Sequence, residues 1–273
     1  MGIRHIRNII ALGHTALAFD SDPLREEIAR DIGAILSVDR LDALVLATPP
    51  HVRSRATLPC LYEKPLGMTT RDAERVVSPL TQVGYNLRFD QPLLHFRGAL
   101  PEIGRPLTAR VEFGQGLEQW RPGTPPAETP YAATGILLEA SHELDLIRWL
   151  FGEWATVIAT TKHDLFLVAE DTVAAIITMQ SGLVVELHLD MTRPGYRRRI
   201  EVVGERGVME WSFDPSRAEQ TYRDEMVAFL AAVESKTPDA IAAGYEDGVA
   251  AVNMADAIRA SAASGFPADW CAT

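Results

Sequence analysis

The sequence predicts an α/β protein built from a small parallel sheet followed by an α/β region with an open, mostly antiparallel sheet. Over the first 90 residues, short and nearly continuous apolar segments alternate with helical patterns, which is typical of a parallel sheet covered by helices. After about residue 100, strand patterns follow one another directly, and this favours antiparallel pairing. The length of 273 residues also suits two domains better than one.

The elements of the first part follow from apolar spacing and from breaker residues. Four isoleucines between positions 3 and 10 share one helical face, and Gly13 ends that helix. Asp22–Pro23 has the pattern of a helix cap followed by a first turn. The remaining predicted elements are strands at 14–20, 43–48 and 60–62 and helices at 24–32 and 69–80.

The second part is predicted to contain six strands and three helices. Ser181–Gly182 and Gly204–Gly207 each separate two strand patterns, so each indicates a hairpin. The segment 120–130 carries four prolines and is predicted to be a loop. The strands are expected at 108–114, 155–161, 172–180, 183–190, 198–203 and 208–213, and the helices at 135–151, 223–235 and 247–263.

Composition and charge exclude several classes of function. The formal net charge of −11 argues against a nucleic-acid partner and against a polybasic membrane binder. No apolar run approaches the roughly 18 residues of a membrane helix, and the N-terminus lacks the pattern of a signal peptide. Cys60 and Cys271 are far apart and outside any CxxC pair, so we expect a reducing, cytoplasmic compartment.

Two motifs end predicted parallel strands, at the sheet edge where α/β proteins bind ligands. ATPPH, with Thr48, Pro49 and His51, forms a stiff turn, although it has an equally plausible explanation as a simple strand stop. EKP places Glu63 and Lys64 after the next strand. A lysine amine has an ordinary pKa of about 10.4 and becomes a better proton carrier when burial or a nearby cation lowers it. The alternative for EKP is a surface ion pair.

A third motif lies on the predicted helix 135–151. Glu139, His142 and Asp145 are spaced three residues apart, so we expect them to share one polar stripe. A histidine between two carboxylates would be fixed in one tautomer and made more basic. A solvated helix face is the alternative. A metal site is disfavoured because the spacing is not a strong zinc pattern, and none is predicted.

Together these segments resemble the Gfo/Idh/MocA family, named for glucose–fructose oxidoreductase and inositol dehydrogenase. The resemblance implies a truncated, Rossmann-like dinucleotide-binding domain over 1–88 and a substrate domain with an open sheet over 89–273. The last helix would pack back on the first domain. The segments that carry the resemblance are LDALVLATPPH, EKPL, VGYNLRFDQP, SHELDLIRWLFG, AEDTVAAIITMQSGLVVELHLD and RRRIEVVGERGVMEW.

The resemblance also implies hydride transfer between a nicotinamide cofactor, NAD or NADP, and a sugar or sugar-like polyol. Lys64, His142 and Glu139 would be catalytic, and Glu139 stands at a position where relatives commonly carry Asp. A homo-oligomer through the open sheet is expected. Cofactor-binding residues would be Gly2, Asp20, Thr48, Pro49, His51, Glu63 and Lys64, and substrate-binding residues would be Lys64, Tyr85, Trp120, Arg121, Tyr131 and His142.

The chain departs from the family pattern near its start. It carries no GxGxxG loop before the first helix, and the acid at Asp20 follows Gly2 alone. Further pieces are expected to be missing between 39 and 41, between 51 and 63, and before Gly84. We therefore expect dinucleotide binding to be weak or lost. The alternatives are a non-redox descendant that moves a proton and a catalytically silent, sugar-binding partner of an active relative.

Overall fold

The structure, a computed structural model, describes residues 1–35, 40–120, 122–123, 125, 131–165 and 168–270. It contains a three-stranded parallel sheet and a mixed, mostly antiparallel sheet of seven strands. The α/β class and the succession of a parallel and an open sheet are therefore as the sequence predicts.

The first part is small. Its parallel sheet has the order β1-β2-β3, and each strand is three residues long. Helix α1 packs against β1 and against the long helix α8 of the second part. The elements are α1 (Gly2–Ala11), α2 (Pro23–Asp31), β1 (Leu44–Leu46), β2 (Cys60–Tyr62), α3 (Thr70–Ala73) and β3 (Thr81–Val83).

Two predictions for this part are wrong. The strand expected at 14–20 is reduced to one parallel bridge between Leu17 and Ile35. Ala16 is the one buried residue of the segment and Phe19 is 86% exposed, so little apolar packing supports a longer strand. The helix expected at 69–80 ends at Ala73. Beyond it the Val77 carbonyl accepts a hydrogen bond from the Ala56 amide, so the chain pairs with a neighbouring loop instead of continuing the helix.

The second part carries the larger sheet, in the order β10-β5-β6-β7-β4-β8-β9, with only β4 and β7 parallel. Both predicted hairpins are present as the pairs β6–β7 and β8–β9. The strands are β4 (Pro106–Gln115), β5 (Trp154–Lys162), β6 (Thr172–Met179), β7 (Val184–Asp190), β8 (Tyr196–Gly204), β9 (Gly207–Ser212) and β10 (Ala268–Asp269). The helices are α4 (Gln91–Ala99), α5 (Leu117–Trp120), α6 (Tyr131–Glu139), α7 (Ser141–Phe151), α8 (Ala218–Ser235) and α9 (Tyr245–Ser264).

The single helix expected at 135–151 is broken. Gly135 has φ of 68° inside α6, and Ala140 separates α6 from α7. The cause is Glu170, whose carbonyl accepts a hydrogen bond from the Ile136 amide at 2.8 Å. A Cβ atom at Gly135 would lie 2.4 Å from the Glu170 carboxylate, so this position requires glycine.

The large sheet has one covered face and one open face. In β6, Val173, Ala175 and Ile177 are buried, whereas Ala174 and Ile176 between them are exposed. This alternation is expected of an antiparallel sheet that is packed on one side. Helices α7 and α9 contact the covered side, and α9 also reaches the first part, where Gly248 packs against Leu66 and Val83. Within the described residues, no helix is both long and apolar enough to cross a membrane.

Candidate active site

The candidate site lies at the carboxyl ends of the parallel strands. Thr48 follows β1, Lys64 follows β2 and Tyr85 follows β3, so all three lie at one edge of the sheet. The start of α7 carries His142 to the same place, because the His142 ring meets the Tyr85 ring edge-on with centroids 5.6 Å apart. The edge thus joins residues from both parts of the chain.

Lys64 is held by the end of α6. Its Nζ donates a hydrogen bond to the Glu139 carbonyl at 2.8 Å and lies 3.4 Å from Oε2 of the same residue. The other carboxylate oxygen of Glu139 accepts a hydrogen bond from the Thr134 hydroxyl at 2.8 Å. The Lys64 side chain is only 17% exposed. Its amine is therefore fixed but still reachable.

His142 is buried and neutral. Burial lowers its pKa well below the ordinary value of 6.5, and the charges of Lys64 and Arg198 lower it further. Its Nδ1 has no hydrogen-bond partner among the described residues. The ring is therefore neutral at neutral pH, and it can act as the acceptor for a proton that leaves a reacting group.

The expected polar stripe of Glu139, His142 and Asp145 is wrong. The break at Ala140 puts Glu139 on α6, and Asp145 pairs with Arg88 at 2.9 Å instead of with His142. His142 is less basic than a free histidine because it is buried between cations and not between carboxylates. The solvated alternative is also wrong, since α7 is buried from Ser141 to Ile147.

Sequence reasoning missed an ion pair beside His142. The Arg198 guanidinium donates to the Glu143 carboxylate at 2.6 Å and lies over the Phe113 ring at 4.2 Å from its centroid. Burial raises the pKa of Glu143 although Arg198 opposes that shift. Arg198 stands in the run YRRR on β8, where alternation points every second side chain inward. This alternation of inward and outward side chains is the sequence signal that could have identified Arg198.

Two further residues support Glu63 and Lys64 and carried no sequence signal. His5 of α1 hydrogen-bonds through Nε2 to the buried Glu63 carboxylate at 2.6 Å. Burial alone would raise the pKa of Glu63, but the hydrogen bond and charge of His5 outweigh burial and lower it. Arg53 donates to the carbonyl of Thr48 at 2.8 Å and to those of Glu63 and Pro65.

The predicted cofactor residues lie at the ends of short elements. Gly2 begins α1, which has no side-chain cap, and the space beside Gly2 is open. The Asp20 carboxylate accepts a hydrogen bond from the Asp22 amide at 3.0 Å and is 37% exposed. His51 is exposed on the short turn Pro50–Val52.

The candidate substrate residues Trp120, Arg121 and Tyr131 cannot be placed in the site, because their side chains lie outside the described residues. Tyr85 is buried beside His142, as described above. Across the described ranges, no three His, Cys, Asp or Glu side chains are grouped closely enough to hold a metal ion.

Comparison with known proteins finds similar sequences and similar folds. Residues 101–210 match the GFO/IDH/MocA C-terminal domain model. Inositol 2-dehydrogenase 2 of Mycolicibacterium vanbaalenii is 32% identical over 67% of this chain, which spans 60% of that relative. Inositol 2-dehydrogenase 2 of Saccharopolyspora erythraea is 27% identical over 325 positions, covering 98% of this chain and 92% of the relative.

The solved structures extend the likeness to the whole fold. The myo-inositol dehydrogenase of Lactobacillus casei, in complex with NAD(H) and myo-inositol, has a TM-score of 0.83 at 21% identity, with coverage of 100% of this chain and 94% of that one. A levoglucosan dehydrogenase bound to NADH and levoglucosan has a TM-score of 0.84 at 19% identity and covers 98% and 96%.

The alignment with the Saccharopolyspora erythraea protein has more positions than the 273 residues of this chain. That relative therefore contains internal stretches that this chain lacks, in agreement with the expected internal losses. Residues 101–210 thus match the GFO/IDH/MocA C-terminal domain, and nearly the whole chain is similar in sequence to inositol dehydrogenases and shares their fold.

Proposed function

We propose that the protein is an oxidoreductase that transfers a hydride between a nicotinamide cofactor and a hydroxyl-bearing carbon of a sugar-like polyol. The observation that carries the proposal is the meeting of Lys64, fixed by Glu139, with the neutral His142 at the carboxyl edge of the parallel sheet. Relatives that span most of this chain are named inositol dehydrogenases, which supports the substrate class.

The residues present fit a dinucleotide of the NAD type. The amides and the positive dipole end at the start of α1 suit a phosphate group, and among the described residues no side chain crowds Gly2. Asp20 is exposed enough to accept hydrogen bonds from ribose hydroxyls. The bound nicotinamide supplies the acceptor or donor of the hydride.

The chain's own residues move the proton. In the oxidation direction, the neutral His142 ring accepts the proton of the reacting hydroxyl, and in reduction the protonated ring returns it. The Lys64 ammonium, oriented by the Glu139 carbonyl, donates a hydrogen bond to the same oxygen and stabilises its developing negative charge. Tyr85, packed on the His142 ring, excludes water from one side of the site.

Replacement of the two central side chains tests the assignment. Lys64→Ala or His142→Ala should reduce turnover of a polyol with NAD by about 10²–10⁴-fold while the protein stays folded. The adjacent exposed residues Lys162 and His163 offer matched controls, and alanine there should leave turnover unchanged. Near-normal turnover in either site variant would remove that residue from the mechanism.

Titration of NADH fluorescence tests the cofactor. For protein expressed from Met1, dissociation constants in the high-micromolar to millimolar range stay our prediction, because the printed residues include no GxGxxG loop. No binding, together with retained exchange of substrate protons with solvent, would favour the non-redox alternative. Absence of both would favour a silent sugar-binding partner.

We also propose that the open face of the large sheet binds a second copy of the chain. Ile158 and Ile176 are 46% and 43% exposed on that face, and Arg110 and Glu186 on neighbouring strands pair at 2.8 Å. Because the face carries both charges, it can complement itself about a two-fold axis. Light scattering should show a dimer or larger assembly that Ile176→Lys dissociates, whereas Val227→Lys on α8, equally exposed, should not.

A further inference from the structure

The side chain of Arg53 bonds only to the main chain in the hydrogen bonds that the structure gives it. Its Nε and Nη2 donate to the Thr48 carbonyl at 3.1 and 2.8 Å. Its Nη1 donates to the carbonyls of Glu63 and Pro65, which precede and follow Lys64. One guanidinium therefore joins the segment after β1 to the residues on both sides of the lysine.

This placement matters because one guanidinium links the exposed segment after β1 to the buried residues around Lys64. Strands β1 and β2 are three residues each, and Thr48 and Pro49 after β1 are exposed. A guanidinium presents several donors in a rigid planar fork, so it can fix several carbonyls at once. Burial lowers the pKa of Arg53 to about 10, which still leaves it charged at neutral pH.

The opposite end of Lys64 is fixed separately. Its Nζ bonds to the Glu139 carbonyl on α6, in the second part of the chain. The amine reaches that carbonyl only while the Lys64 backbone keeps its place. Arg53 contributes to this through the Glu63 and Pro65 carbonyls. The bond from the Glu63 amide to the Leu46 carbonyl at 3.0 Å and the burial of Leu66 contribute as well. The two anchors together set the direction of the side chain across the edge of the sheet.

We propose that Arg53 is a positioning residue that keeps the Lys64 amine aimed at the reacting hydroxyl by holding the carbonyls on either side of it. The kinetic part of this inference rests on the proposed function, whereas the position of the amine can be measured without any substrate. Displacement of a reacting group by about 1 Å can cost about 10²-fold in rate.

The chain makes that measurement simple because it contains three lysines, Lys64, Lys162 and Lys236. Brief treatment with acetic anhydride, followed by trypsin and mass spectrometry, reports Lys64 on the peptide 56–71 and the exposed Lys162 as an internal standard. In Arg53→Gln, loss of the Glu139 hydrogen bond should raise the acetylation of Lys64 relative to Lys162 by about 2- to 10-fold.

The kinetic expectation is a fall in kcat of about 10- to 100-fold with a smaller change in KM, because the substrate contacts remain. Arg53→Lys keeps the charge but not the planar fork, so acetylation of Lys64 should again rise and kcat should again fall. This second variant serves as the test if Arg53→Gln does not fold. Arg55, exposed two residues away, is the matched control. Arg55→Gln removes a trypsin site, so Lys64 is read on the peptide 54–71, and neither quantity should change.

The outcomes separate the inference from the proposed function. Unchanged acetylation of Lys64 in a folded Arg53 variant would overturn the inference, whatever happens to kcat. Increased acetylation with a fall in kcat supports both. Increased acetylation in a protein that shows no dehydrogenase activity in any form supports the position of Arg53 and contradicts the proposed function.

Discussion

The two sheets hold their functional side chains in different ways. The parallel sheet has three strands of three residues, and the side chains of β1 are only half-buried. The large sheet has seven strands, and α7, packed over it, is buried without interruption from Ser141 to Ile147. Packing therefore fixes His142. The buried β2 and Leu66 also fix the backbone on either side of Lys64, but the Lys64 side chain itself is oriented by hydrogen bonds to single groups.

The comparison indicates how a small sheet can carry a reactive residue. His5 bonds the Glu63 carboxylate, Arg53 bonds the carbonyls around Lys64, and Glu139 bonds its amine. Each of these is a specific polar contact and contributes less to stability than a buried apolar side chain does. We expect substitutions in the first part to change function more than stability and those in the second part to do the reverse.

The largest expected difference is in the free energy of unfolding lost when one leucine in each sheet is replaced by alanine. Leu187→Ala empties a site in β7 that is 2% exposed and should lower the free energy of unfolding by about 2–5 kcal/mol. Leu46→Ala in the half-buried β1 should cost about 1 kcal/mol. Urea denaturation measures both, and equal costs would contradict the distinction between the sheets.

A buried acid at the contact of the two parts gives an intermediate effect. Neither carboxylate oxygen of Glu225 on α8 has a hydrogen-bond partner in the part of the chain that the structure describes. Burial, followed by the charge of Glu63, raises its pKa well above the ordinary 4.5. The folded protein thus keeps a proton that the unfolded chain releases above pH 4.5. The free energy of unfolding therefore falls as the pH rises above 4.5, because folding then has to keep Glu225 protonated.

Glu225→Gln removes this ionisation. The variant should be more stable than the parent by about 1–3 kcal/mol at pH 8, with little gain at pH 4, because a neutral amide avoids the cost of a buried unpaired charge. Thermal denaturation across this pH range measures the difference. Glu234→Gln, exposed on the same helix, is the control and should leave the pH dependence unchanged. If the stability difference between Glu225→Gln and the parent did not change with pH, Glu225 would be ionised in the folded protein.

The smallest expected effect concerns cofactor choice in the first part. Asp20 at the end of its segment should favour NAD, because a carboxylate accepts from ribose hydroxyls and repels a 2′-phosphate. Asp20→Ser should lower the ratio of the NADP dissociation constant to the NAD dissociation constant by about tenfold, which corresponds to about 1.4 kcal/mol. Asp31→Ser, exposed at the end of α2, is the control, and tighter NADP binding by the parent would contradict the role of Asp20.

The sequence was sufficient for features that depend on local periodicity. The alternation along β6 and β7 and the glycines of their turn predict a hairpin that the structure contains. The break at Gly135 was not predictable because its cause, Glu170, lies on a distant segment. The same holds for His142, whose low pKa depends on burial and on charges from Lys64 and Arg198, and not on its helical neighbours.

The break between α6 and α7 has a consequence for which substitutions the site tolerates. Because α6 ends at Glu139, the carbonyl of that residue is free to accept the hydrogen bond from Lys64. This shorter of the two contacts is made by the main chain, which every amino acid possesses. Position 139 can therefore exchange one acidic residue for another, or carry an uncharged one, and still anchor the lysine amine.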